Sequence, residues 1–238
     1  MSRQGLLRRF GVALAAVVIV AVAYAVIGWV TLALTRYIGL AAPLWPAAGL
    51  AFAAVYRRGY HLAIGVVLGS FLANLAYGWS DIGSPRFVES IAIAAVGAGL
   101  QAIAAVALLR VVAGRRSTFS RTRQVIAFVL LSGLLAATIS PTFGVLTQLW
   151  SGVLDPSAIV TAWLTWWVGD ACGIIVFGPA FLMLDPEEND VWHGRRWKVA
   201  LPSILTALAL LAAFLEIVAL DNQRVVSEVD QMAESAST

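Results

Sequence analysis

About 20 consecutive apolar residues suffice for a helix to cross the hydrocarbon core of a bilayer, and this chain of 238 residues contains seven such segments in succession. They run from Phe10 to Leu34, Ile38 to Tyr56, His61 to Ser80, Val88 to Ala113, Val125 to Trp150, Ala158 to Leu184 and Val199 to Leu220. Inside a membrane every backbone N–H and C=O must be satisfied within the protein, which leaves helices or a closed barrel. Apolar runs of this length, without residue-by-residue alternation, specify helices. The composition agrees, with 61% hydrophobic and 12% charged residues and a mean hydropathy of +0.87. The expectation is an all-α, polytopic transmembrane helical bundle of about seven spans. Residues 1–220 form one membrane domain, and 221–238 form a helical tail outside the bilayer.

Orientation follows from the basic residues. Of the 16 Lys and Arg, 13 fall on one side (3, 8, 9, 57, 58, 110, 115, 116, 121, 123, 195, 196, 198) and 3 on the other (36, 86, 224). Basic residues favour cytoplasmic loops, so the amino terminus is expected in the cytoplasm and the carboxyl terminus outside. The same clusters lie between apolar segments rather than along one face, which argues against nucleic acid as a partner. Arg3, Arg8 and Arg9 resemble a signal-peptide n-region, but the apolar run that follows continues to Leu34, which predicts an uncleaved anchor. The second segment is interrupted by Pro43 and Pro46, as a re-entrant element would be. Removing it would invert every later loop and put Arg57 and Arg58 outside, so it is counted as a span.

The most distinctive stretch is WLTWWVGDACGIIVFGP, Trp163 to Pro179. At about 100° per residue, Trp163, Trp166, Trp167, Asp170, Gly173, Ile174 and Phe177 fall within about 60° of the Asp170 direction. Leu164, Val168, Cys172 and Ile175 form the lipid-facing back. A carboxyl at bilayer depth costs roughly 2.5 to 3.5 kcal/mol on insertion scales and must face inward. Counting depth from the segment ends places Trp45-Pro46, Asn74, Gln101, Ser140-Pro141 and Asp170 between the middle and the outer half of the membrane. Interrupted helices and polar groups at one level build cavities and ion pathways; the plainer reading is packing, with Asn74 and Gln101 as interhelical hydrogen bonds. No Lys or Arg lies at mid-span, so indole N–H groups and the Asn74 amide are the expected donors to Asp170. Gly65 and Gly69 form a GxxxG pair on the face of their helix opposite Asn74, fit for close helix approach.

Other chemistry is not indicated. Cys172 is the single cysteine, which precludes an intrachain disulfide, and His61 and His193 are remote from it, so no metal site is expected. Nothing has the spacing of a nucleophile elbow or a phosphate-cradling loop. No cofactor and no catalysis are expected. Asp185 to Lys198 reads as a polar connector anchored by Trp and Arg, and Asn222, Val225, Val229, Met232 and Ala236 repeat at 3-4 spacing over two heptads. That repeat is consistent with a signalling helix in a homodimer, or with a fraying amphipathic tail.

LWPAAGLAFAA (44–54), GVVLGSFLANL (65–75), GLQAIAAVALLR (99–110), SPTFGV (140–145) and the stretch at 163–179 together resemble the first class of bacterial membrane-associated sensor (MASE) domains, over about residues 40 to 198. The resemblance implies an input module of the bacterial inner membrane, joined to a histidine kinase or to GGDEF and EAL domains that make and degrade cyclic di-GMP. It singles out Trp45, Pro46, Gly49, Gly69, Asn74, Trp166, Trp167, Gly169, Asp170, Gly173 and Pro179. Gln101 departs from it, standing where the family pattern has an acidic residue. An external carboxyl terminus would suit a following extracellular sensing domain.

The residues and the resemblance together predict a bundle that senses a small molecule or a membrane state and transmits it by helix movement. Signal-sensing candidates are Trp45, Pro46, Asn74, Gln101, Trp163, Trp166, Trp167 and Asp170; close packing is expected of Gly49, Gly65, Gly69, Gly169, Gly173 and Pro179. Two other classes compete: a proton-coupled transporter or channel using Asp170, and a structural membrane anchor.

Overall fold

The structure, a computed structural model, describes residues 3–38, 44–78, 83–114 and 121–184, with Leu201 and Leu205. Apart from those two residues, the expected seventh span, the connector at 185–198 and the tail lie outside the described residues. All described regular structure is helical. The α-helices are α1 (Arg3–Ile38), α2 (Pro46–Arg58), α3 (Ala63–Tyr77), α4 (Pro85–Ala113), α5 (Thr122–Ala127), α6 (Ile139–Ser151), α7 (Ile159–Cys172) and α8 (Gly178–Met183). Five helical stretches have the length and apolarity to cross a membrane: Gln4–Thr35, Tyr60–Tyr77, Pro85–Ala113, Thr122–Ser151 and Pro156–Met183.

The second expected span differs. Its helix α2 has 13 residues, about 20 Å at 1.5 Å per residue, against a hydrocarbon core about 30 Å thick. Pro46 explains the late start, because a residue before proline is pushed out of the helical region, and Trp45 sits at φ −120°, ψ 78°. Proline itself suits the first helical position, where its missing N–H has no intrahelical partner to lose.

The expected fifth and sixth spans are also not uniform α-helices. Phe128–Leu135 is π-helical and is followed by a 3-10 turn, Ala136–Thr138, before α6. Pro141, the third residue of α6, has no N–H to offer the preceding turn, and the chain tightens ahead of it. A second π-helical stretch, Gly173–Phe177, separates α7 from α8. The two π stretches touch, since a Cβ on Gly133 would meet the Ile175 side chain.

Close contacts fix how the helices run. Gly65 packs on the Val17 carbonyl and Gly69 on the Ala21 carbonyl and Tyr24, so α1 and α3 are parallel. Gly78 against Phe87 and Gly99 against Val67 make α3 and α4 antiparallel, and Gly97 against Phe143 with Gln101 bonded to Ser140 does the same for α4 and α6. Gly144 receives Trp166 from the returning α7. Trp45 beside Gly169 and Phe52 beside Gly178 set α2 parallel to α7 and α8. Direction therefore alternates through α1, α2, α3, α4, α5–α6 and α7–α8. Arg58, Arg110 and Arg121 gather at the end where α1 begins, and Arg86 lies at the far end.

The near half of the bundle is densely filled. Phe52 and Val55 of α2, Leu62, Val66 and Val106 are almost fully buried, and Phe52 stacks on Tyr56 with centroids 5.6 Å apart and meets Phe128 at 5.1 Å. Large apolar side chains elsewhere, such as Ile19, Leu68 and Leu164, are exposed, as a lipid-facing surface requires.

Candidate functional site

Asp170 is 1% exposed, on α7. Its carboxylate Oδ2 accepts a hydrogen bond from Gln101 Nε2 at 3.0 Å, and the Ser140 side chain bonds it as well. Gln101 works in both directions: its Oε1 accepts the Ser140 backbone N–H at 3.0 Å. An amide can donate and accept at once, whereas an ionised carboxylate only accepts. The three residues, from α4, α6 and α7, are each at most 4% exposed. Gln101 thus satisfies an N–H freed by the irregular turn ahead of α6 and the carboxylate it faces, two groups that would otherwise be orphaned in a low dielectric.

A second polar chain adjoins the first. Trp45 Nε1 donates to the Tyr24 hydroxyl at 3.0 Å, and Tyr24, 2% exposed, also bonds the Ser70 side chain. The Trp45 backbone N–H donates to the Gly169 carbonyl at 3.0 Å. The amino terminus of α2 therefore lies at the level of Asp170, where the partial positive charge of a helix start favours an anion. Close approach depends on glycine at two points: a Cβ at Gly173 would run into the Trp45 carbonyl, and one at Gly49 into the backbone of Gly173 and Gly178. Gly169 is buried on α7, and Pro179 occupies the first turn of α8.

The expected donors to Asp170 are corrected by this arrangement. Asn74, half-buried, gives its Nδ2 to the Ser70 carbonyl of its own helix at 2.9 Å. Trp163 Nε1 donates to Thr142 Oγ1 at 3.1 Å and Trp167 Nε1 to the Leu134 carbonyl at 3.0 Å. These two rings stack with centroids 6.0 Å apart, and their N–H groups tie α7 to α6 and to the irregular segment before it rather than serving the carboxylate. Trp166 packs on Gly144. The depth count from sequence had gathered Gln101, Ser140 and Asp170 without indicating which side chains would touch. Tyr24 was missed; the available signal was a lone tyrosine near the middle of the first apolar run.

A cavity of about 780 Å³ reaches this site from the far end of the bundle. Tyr24, Trp45, Ser70, Ser140 and Gly169 form its inner end, and Arg86, Ser84 and Gln148 stand at the ends of helices around its mouth. Trp166 and Asn74 also line it, whereas Gln101 and Asp170 lie behind Ser140. At the opposite end, Arg110 donates from its guanidinium to the Tyr56 carbonyl at 2.8 Å and lies 4.9 Å from the centroid of the Tyr60 ring. Among the described residues no group of three or more His, Cys, Asp or Glu is placed to hold a metal ion.

An all-α bundle of many membrane helices, with an interrupted helix, a buried carboxylate bridged across three elements and a cavity open at one end, defines the class of polytopic helical membrane proteins. The family is more particular. The profile of the MASE1 family matches residues 13–222, and the chain belongs to that family of membrane sensor domains. It is a multi-pass protein of the bacterial inner membrane. Neither a curated protein nor a solved structure matches the chain.

Proposed function

We propose that this chain is the sensory input module of a bacterial signalling protein of the histidine kinase or cyclic di-GMP type, converting a membrane or periplasmic stimulus into helix movement. The observation that carries the reading is the Asp170–Gln101–Ser140 bridge. It ties α4, α6 and α7 together beside the start of α2 and behind the inner end of a cavity. A stimulus that alters the occupancy of that cavity reaches the three elements through Ser140, and a sensor requires only that one packing of them bind the stimulus better than another. One π-helical stretch, Gly173–Phe177, begins three residues after Asp170, and the other, Phe128–Leu135, ends five residues before Ser140; such insertions occur frequently at functional sites.

The roles of Trp45, Pro46, Asn74, Gln101, Trp166 and Asp170 as sensing residues, and a homodimer joined through the tail, belong to this proposal. The test is signalling by the protein that carries this domain: Asp170→Asn should remain in the membrane at wild-type abundance and lose its response. Normal signalling by that variant refutes the assignment. A transporter using Asp170 would instead show Asp170-dependent proton flux in proteoliposomes, and the sensor reading predicts none.

A further inference from the structure

We infer that the cavity is a binding site for a single acyl chain bearing an anionic head group, with the head at Arg86 and the chain directed toward Trp45 and Tyr24. Volume alone admits many ligands, because about 780 Å³ lies within the ordinary range of small-molecule pockets. The chemistry of the lining is more restrictive. At the inner end the polar groups are already engaged with one another: Trp45 Nε1 with Tyr24, Tyr24 with Ser70, Asn74 with the Ser70 carbonyl, and Ser140 with Asp170. Among the described residues the buried side-chain nitrogen or oxygen without a partner is Arg110 Nε, at the opposite end of the bundle. The bonds at the inner end hold the Trp45 indole and the Tyr24 phenol in place, as rings against which an apolar chain can lie.

Charge sets the polarity of the occupant. Arg86 is the charged side chain of the described lining and stands exposed at the mouth, while Asp170 lies behind the inner end. An anion is therefore attracted at the mouth, and the inner end offers it no charged side chain of the described lining. The separation is long: Arg86 precedes Gln101 on α4 by 15 residues, about 22 Å of helix. A compact zwitterion cannot span it, whereas an extended chain can. Phe87, Ile91 and Trp166 provide apolar wall between the two ends. The inference supplies a ligand class for the sensing site and rests on the sensor reading for its consequence, though the binding itself does not.

The experiment uses the full chain in nanodiscs of zwitterionic phosphatidylcholine, with tryptophan emission as the readout and 11-bromoundecanoate as a contact quencher. The expected result is a saturable quenching component, displaced by dodecanoate, absent when Trp45 and Trp166 are both Phe, and blocked by Ala162→Phe, which fills the cavity wall. Arg86→Ala should weaken it about tenfold, the size of one charge-assisted contact, and the methyl ester of the probe should bind the wild type and Arg86→Ala alike. A parallel arm with brominated phosphatidylglycerol identifies the source: saturable, Arg86-dependent quenching there assigns the chain to a bilayer lipid rather than a free acid, and supports the site in either case. Quenching that rises linearly and is unchanged by Ala162→Phe, or saturable quenching by brominated phosphatidylcholine independent of Arg86, overturns the inference. Because binding is read without any signalling output, these outcomes stand apart from the Asp170→Asn signalling test.

Discussion

Gln101 makes Asp170 tolerable where it is, since one amide serves both the carboxylate and the Ser140 N–H. Gln101→Leu keeps similar bulk and removes both contacts, so it should destabilise the protein by about 1 to 3 kcal/mol for each group left unpaired. In an Asp170→Ala background the same change should cost less than in the wild type, because one of those groups is already gone. Detergent melting of the four proteins checks this, and strictly additive losses would mean the bond is not an energetic unit. At Asp170, Asn retains volume and an acceptor for Gln101 Nε2 and should fold, whereas Ala strands that donor and the Ser140 hydroxyl and should melt lower. Equal melting of Asn and Ala variants would contradict the geometry. Depth counting along the sequence was enough to bring Gln101, Ser140 and Asp170 to one level, because rise per residue is fixed. It could not select Gln101 over Asn74 or the indoles as the donor, since that choice depends on helix rotation and on the loss of a regular turn before α6.

At the scale of elements, the positions of breaks were legible and their form was not. Proline at 46 and 141 marks an interruption wherever it occurs, and the late start of α2 and the turn ahead of α6 follow from it. The π-helical stretches are different, because in segments apolar on nearly every side no periodicity distinguishes 3.6 residues per turn from a wider winding. The glycine positions carry more information. A Cβ at Gly173 meets the Trp45 carbonyl, a backbone atom that cannot swing away, whereas at Gly11 it meets nothing within 4 Å. Gly173→Ala should therefore lower stability by about 1 to 3 kcal/mol, as overpacking does, and Gly11→Ala should have no such cost. Fluorescence-detected gel filtration after heating separates them, and wild-type behaviour of Gly173→Ala would mean that α2 does not sit against α7 as described.

For the whole molecule, Arg58, Arg110 and Arg121 lie at the end where α1 begins, and the basic asymmetry of the sequence predicts that this end is cytoplasmic. A reporter active only outside the cytoplasm, fused after Thr238, should be active, and the same reporter after Arg123 should be silent; the reverse pair would contradict an odd number of crossings with a cytoplasmic amino terminus. On the sensor reading the bundle has two packings, and Asp170 biases the choice between them. Spin labels at Leu68 on α3 and Leu164 on α7, both exposed on the lipid side, report the spacing of these helices across the site. In nanodiscs, pulsed dipolar spectroscopy should show two distance maxima for the wild type, with their relative weights changed by Asp170→Asn. A single maximum at the same distance in both proteins would contradict the account and leave a rigid anchor.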